Sequence, residues 1–134
     1  MNIIIGETIF ERLLKEAATN ARLRTNHDLR NSESDTSQRM LNALTPGTKV
    51  PVHRHLHSSE TVVLLKGRID EVYYDSAGNE TGRVALDADG ANRGVQIAAG
   101  QWHTIEVHEP SVIIEVKDGA YAPLTADELL QEGV

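Results

Sequence analysis

Cysteine is absent from the 134 residues. That removes disulfides, thiolate metal sites and thiol catalysis, so any metal here must be held through nitrogen and oxygen. A cysteine-free chain also suits a reducing compartment, and a cytoplasmic location is expected. Long apolar runs are missing as well. The first 22 residues have no basic region ahead of an apolar stretch, and neither a secretory signal nor a membrane span is expected. Positive charge is scarce: 13 Lys and Arg stand against 20 Asp and Glu, a formal charge of −7. Nothing resembles a basic stripe, so nucleic acid is not an expected partner. The one basic concentration, Arg22, Arg24 and Arg30, is diluted by Asp28 and Glu33 and reads as a solvated connector rather than a phosphate patch. No internal repeat and no low-complexity tract is visible.

What remains is ordinary globular material, 40% hydrophobic and 25% charged, in a length that suits one domain. From residue 7 to about residue 21, Ile9, Phe10, Leu13, Leu14, Ala17, Ala18 and Ala21 recur at helical spacing and predict one amphipathic helix. A polar stretch, 23–36, follows and reads as a connector or arm. The chain then changes character. Short β-rich runs at 38–44, 50–55, 60–66, 68–74, 83–86, 94–98, 103–107 and 111–116 alternate with Gly, Pro, Asn and Asp turns. Such spacing predicts an all-β barrel or sandwich. Thr125 followed by Glu128 predicts a capping box opening a short C-terminal helix. The expected organisation is one domain: helix and arm over 1–36, barrel over 37–120, tail over 121–134.

The chemistry concentrates around three closely spaced histidines, His53, His55 and His57. Residues two apart in an extended segment face the same way, so His53 and His55 can converge on one ion. Glu60 opens the next run on the same face as Val62 and Leu64. A carboxylate there would be buried beside apolar side chains at a cost that a cation removes. His103 opens a later run with Ile105 and Val107 on its face, a fourth ligand from across the barrel. Three imidazoles and one carboxylate suit a single divalent transition metal ion, whether Zn, Fe, Ni, Mn, Co or Cu, with positions left for water or substrate.

These residues carry a family resemblance. Gly47-x5-His53-x-His55-x4-Glu60-x6-Gly67 matches the first cupin motif at every defining position. The second motif is looser: Gly100-x2-His103 stands, while Ala98 replaces the usual proline, Val107 the usual asparagine and Asn92 the leading glycine. The runs SQRMLNALTPG (37–47), NRGVQIAAGQWH (92–103) and EVKDGAY (115–121), with His53-Arg54-His55, are similar to the WbuC family of cupin-fold metalloproteins, over residues 22–121. That resemblance implies a cupin double-stranded β-helix, a jelly-roll barrel holding a metal, and an association with bacterial polysaccharide gene clusters. It supplies no reaction.

Around the four ligands, His57 is a candidate pocket acid or base, or a turn residue. Arg39 is a candidate clamp for an anionic ligand, or a surface arginine. Tyr121 is a candidate to fold over the barrel mouth, or an anchor for the tail. The leading functional expectation is an isomerase- or epimerase-like enzyme acting on a sugar or nucleotide-sugar, the metal serving as Lewis acid. The same ligands would serve a non-haem dioxygenase, and a metal-dependent binding or regulatory module without turnover is the reading from a different class. The run 60–66, apolar on both faces, is expected to be covered on both sides, and a homodimer is expected.

Overall fold

The computed structural model describes residues 2–130. Helix α1 (Glu7–Thr19) buries Ile9, Phe10, Leu13 and Ala17 along one stripe, and its N-cap Gly6 supplies no side-chain cap. Packing therefore holds it in place. The stripe lies on Leu41, Ala43 and Val112, and burying each large side chain contributes about 1.5–3 kcal/mol.

Eight strands follow: β1 (Arg24–Asp28), β2 (Ser37–Leu44), β3 (Glu60–Lys66), β4 (Arg68–Tyr74), β5 (Glu80–Asp87), β6 (Gly94–Ile97), β7 (Trp102–Val107) and β8 (Ser111–Asp118). They form two antiparallel sheets, one of five strands in the order β1-β2-β8-β3-β6 and one of three in the order β5-β4-β7. Leu44, Val62, Leu64, Ile97 and Ile113 from the first meet Ile69 and Leu86 from the second in a shared core.

Register decides which side chains reach the space between the sheets. Met40 pairs with Glu115, Asn42 with Ile113 and Leu44 with Ser111, so these face the interior, as do Glu60, Val62 and Leu64. The alternate residues, among them Arg39, Leu41 and Ala43, turn outward beneath α1 or beside it. In the three-stranded sheet Glu71 pairs with Ile105 and Tyr73 with His103, which places Ile69, Glu71 and Tyr73 on the interior face.

The structure departs from the sequence pattern in four places. Residues 50–55 form no strand ladder; only His53 is bridged there, to His103 and Leu129. Pro51 has no N–H to give a ladder. Conversely, part of the polar arm is strand β1, whose register runs from Arg24 opposite Leu44 to Asp28 opposite Met40. Its run RTNHD carries no apolar alternation, and it is held as an edge by its backbone pairing. The outer face of β3 is only partly covered: Leu65 packs against the helix cluster, while Val63 is 37% exposed. The C-terminal helix is a single 3-10 turn (Ala126–Glu128) with its Thr125–Glu128 capping box in place; the last four residues of the expected tail, 131–134, lie outside the described residues.

Candidate metal centre

The segment between β2 and β3 leaves a turn at Gly47 (φ +96°) and runs extended across the end of β7. His53 is pinned there by a reciprocal backbone pair: its N–H donates to His103 O at 3.0 Å, and the His103 N–H donates to His53 O at 2.9 Å. Two residues on, His55 O accepts from the Gly100 N–H at 2.8 Å. Glu60, the first residue of β3, opens on the interior face and is 4% exposed. The ligand atoms of His53, His55, Glu60 and His103 all lie within 4.8 Å of one another, and this is the one such group among the described residues.

The imidazoles are oriented from behind. His53 Nδ1 lies 2.8 Å from Pro51 O and His103 Nδ1 2.9 Å from Gln101 O. A carbonyl only accepts, so both Nδ1 atoms carry the proton and both Nε2 atoms present a lone pair. Glu60 Oε2 sits 3.4 Å from His103 Nε2 and 3.3 Å from His55 Nε2, yet it is buried and has no hydrogen-bond partner. A buried carboxylate oxygen facing a nitrogen lone pair is repulsive unless a cation lies between them. The donor set therefore fits a metal ion, and its nitrogen and oxygen chemistry suits a divalent transition metal.

The electrostatics agree. Burial, reinforced by the neighbouring His103, pushes the His53 imidazole down to about 4, so it is neutral and free to ligate at neutral pH. Burial works to raise the Glu60 carboxyl, and the Lys117 ammonium works to lower it.

Two cavities meet at this cluster. An outer cleft of about 390 Å³ touches it through His55 and is also walled by His57, Gln38, Lys117 and Glu128. An inner chamber of about 180 Å³ is lined by His53, Glu60 and His103 together with Arg24, Asn42, Glu71 and Glu115. The tail folds along the ligand segment: Glu128 O accepts from the Arg54 N–H at 3.0 Å, Val52 O from the Leu130 N–H at 3.0 Å, and Glu128 Oε2 from the Leu56 N–H at 3.1 Å. Arg54, facing away from the ligands, donates through Nε to Asp127 O and lies 4.3 Å over the Trp102 ring.

Of the residues proposed to bind substrate, His57 is exposed on the wall of the outer cleft beside His55. Arg39 is elsewhere. Strand parity turns it to the outer face, where its guanidinium donates to Ser37 O, Leu29 O and Asp35. Tyr121 lines neither cavity; it is 54% exposed, with Arg30 5.7 Å over its ring. Glu71, Glu115, Asn42 and Arg24 line the chamber without having been expected there. For Glu71 and Glu115 a signal existed, a charge at the interior phase of a strand, beside Ile69 and Ile113 respectively. Burial and the nearby Glu60 and Glu115 carboxylates push Glu71 up to about 9, and burial with Glu60 pushes Glu115 up to about 7.

A family model described as Domain of unknown function (DUF6016) matches residues 5–86. The chain belongs to that family. The match takes in His53, His55 and Glu60 and stops short of His103. No curated protein matches the sequence. Among solved structures, CapF of Staphylococcus aureus, a capsular polysaccharide assembling protein, is similar with a TM-score of 0.69 and 20% identity over 86% of this chain and 33% of that one. An oxalate oxidase in complex with the substrate analogue glycolate gives 0.61 and 13% over 78% and 55%. The oxalate decarboxylase of Lactobacillus farciminis, in a formate complex, gives 0.53 and 20% over 64% and 25%. These are cupin-fold proteins, and this DUF6016 chain has the cupin fold. It spans a third or less of the CapF chains it matches, 24–33% of their length. No helix among the described residues is long and apolar enough to cross a membrane.

Proposed function

We propose that the chain is a metal-dependent cupin of the WbuC type acting on a sugar-derived small molecule in polysaccharide biosynthesis, with isomerase- or epimerase-like chemistry in the cytoplasm. His53, His55, Glu60 and His103 hold one divalent transition metal ion. The observation that carries this reading is the buried, unpartnered Glu60 Oε2 lying 3.4 Å from His103 Nε2, on a ring whose Nδ1 is tied to the Gln101 carbonyl. Such an ion supplies a Lewis acid for a carbonyl or hydroxyl oxygen.

The protein side of the chemistry is positional. Pro51 O and Gln101 O hold two rings in one tautomer, and the backbone bridge between His53 and His103 fixes their separation. His57 is the exposed imidazole of the outer cleft and the group placed to take or return a proton there. Lys117, on the same wall, offers a cation to an anionic substituent. The likeness to a capsular polysaccharide assembling protein supports the sugar-derived class.

The chain is also proposed to form a homodimer through the outer face of the five-stranded sheet, where Val63 and Val116 are 37% and 38% exposed; a concentration-independent monomer in light scattering would refute this. For the activity, anomalous scattering at several absorption edges should place one ion between the four side chains. The loaded protein should then bind or turn over a sugar-derived small molecule, whether a short free sugar, a sugar phosphate or a nucleotide sugar. Loaded protein that binds none of these contradicts the proposal, and oxygen consumption by the iron form alone replaces the isomerase with an oxygenase.

A further inference from the structure

Glu71 is fully buried, and neither of its carboxyl oxygens has a hydrogen-bond partner. Leaving both oxygens unpaired in the interior is costly, and the neighbouring interior position on the same strand is occupied by Ile69. Glu71 is not a fifth metal ligand, because the group whose donor atoms converge within 4.8 Å does not include it. Instead it lines the inner chamber, together with the Asn42 side chain and Glu115, while His53, Glu60 and His103 line the same space. One compartment thus joins the metal centre to a buried carboxyl that has nothing to bond.

The chamber is small. At about 180 Å³ it holds the equivalent of roughly six waters at about 30 Å³ each, below the 300 Å³ or so where pockets for drug-sized ligands begin. A nucleotide sugar does not fit, whereas a molecule of six to eight heavy atoms does. We propose that the inner chamber is the ligand compartment of the metal centre and takes a free hydroxy-carbonyl compound of three or four carbons, hydrogen-bonded through its hydroxyls to Glu71 and Asn42. The proposal rests on the metal-centre reading and narrows its substrate class. Hydroxyl groups both donate and accept, so they satisfy Glu71 in either protonation state. A carbonyl oxygen at the other end of the molecule would face the histidines that line the same space.

The test is calorimetric titration of the zinc-loaded full chain with dihydroxyacetone, glyceraldehyde and erythrose, with a nucleotide sugar as the oversized comparison and zinc content measured in parallel. At least one of the three short probes should bind. Glu71→Leu should weaken that binding about tenfold or more, the size of a lost hydrogen bond to a buried group, with zinc content unchanged. Glu71→Gln, which keeps a donor and an acceptor, should stay within about threefold of wild type. Asn42→Leu supplies a second lesion should Glu71→Leu fail to fold, and should also weaken binding. Wild-type affinity in Glu71→Leu and Asn42→Leu, or no binding of any short probe to the loaded wild type, overturns the proposal and leaves the chamber to water. Wild type that takes up no zinc instead sinks the metal-centre reading. The probes are then titrated into metal-free protein, where loss in Glu71→Leu still supports the compartment and no loss overturns it.

Discussion

His53 and His103 exchange both backbone hydrogen bonds, at 3.0 and 2.9 Å, and their ring centroids lie 4.4 Å apart. The separation of two proposed ligands from distant parts of the chain is thus set by main-chain atoms, and changing either ring leaves that bridge in place. His103→Ala should fold, with a thermal midpoint in metal-free buffer within a few degrees of wild type. Its metal affinity should fall by more than the roughly 10–100-fold typical of changes behind the ligands, read by competition with a chelating dye. Glu60→Gln should lose metal as well, since it removes the anionic donor. Retention of a full equivalent of metal in both variants would place the ion elsewhere.

Two glycines, one from each motif, are needed for different reasons. Gly67, between β3 and β4, has φ +92°, and a methyl group there would collide with the Ser111 hydroxyl and the Pro110 carbonyl. Gly100 has φ +84° but open space around it. Gly67→Ala therefore carries both a left-handed conformation and a clash against backbone, and should cost at least about 2 kcal/mol. Gly100→Ala carries only the conformation and should cost about 1 kcal/mol. Urea midpoints of the two variants check the order; equal losses would mean that Ser111 and Pro110 yield freely.

Much of the fold was legible because strand periodicity and burial agree. Glu60, Val62 and Leu64 do face the interior, and the Gly, Pro and Asn punctuation falls between the strands. The clustering of His53, His55, Glu60 and His103 was legible because fixed spacing survives in a chain even where the ladder does not. The segment carrying His53 and His55 is irregular, yet its extended path still aims the two rings together. What was hidden depends on pairing at a distance. β1 has a polar sequence and is a strand only because β2 offers it an edge. Arg24 lines the chamber for that reason, and not from any feature of its neighbours in sequence. Of the two readings of Arg39, the structure has the surface one, because the register with β8 turns it outward with Leu41.

Glu128 joins the tail to the ligand segment through one carboxylate. Oε2 accepts from the Leu56 N–H at 3.1 Å and Oε1 from the Thr125 N–H at 3.1 Å. Glu128→Ala breaks both the capping box and the strap across the loop that follows His55. The expected loss is about 1 kcal/mol of stability, together with faster hydrogen exchange at Leu56 and neighbouring amides by mass spectrometry. Because the metal ligands themselves are untouched, metal stoichiometry should stay at the wild-type value. Unchanged exchange around Leu56 would show that the 3-10 turn is held without its carboxylate.

Glu71 also sets a pH dependence whose sign is fixed by its surroundings. Its carboxyl is pushed up to about 9 by burial and by Glu60 and Glu115, whereas in the unfolded chain it titrates near the ordinary value of 4.5. Below 4.5 it is protonated in both states and contributes no penalty. Between 4.5 and about 9 the unfolded chain releases the proton while the folded chain keeps it, so the unfolded state is increasingly favoured as pH rises. Glu71→Gln has no such proton to lose. Metal-free wild type and Glu71→Gln should therefore differ least below pH 4.5, and the variant should gain steadily above it, by about 3 kcal/mol at pH 7. Denaturant midpoints from pH 4 to 9 measure the difference curve. A flat curve would mean that Glu71 ionises normally inside the chamber, and a curve of opposite slope would mean that a cation or a buried donor holds it charged.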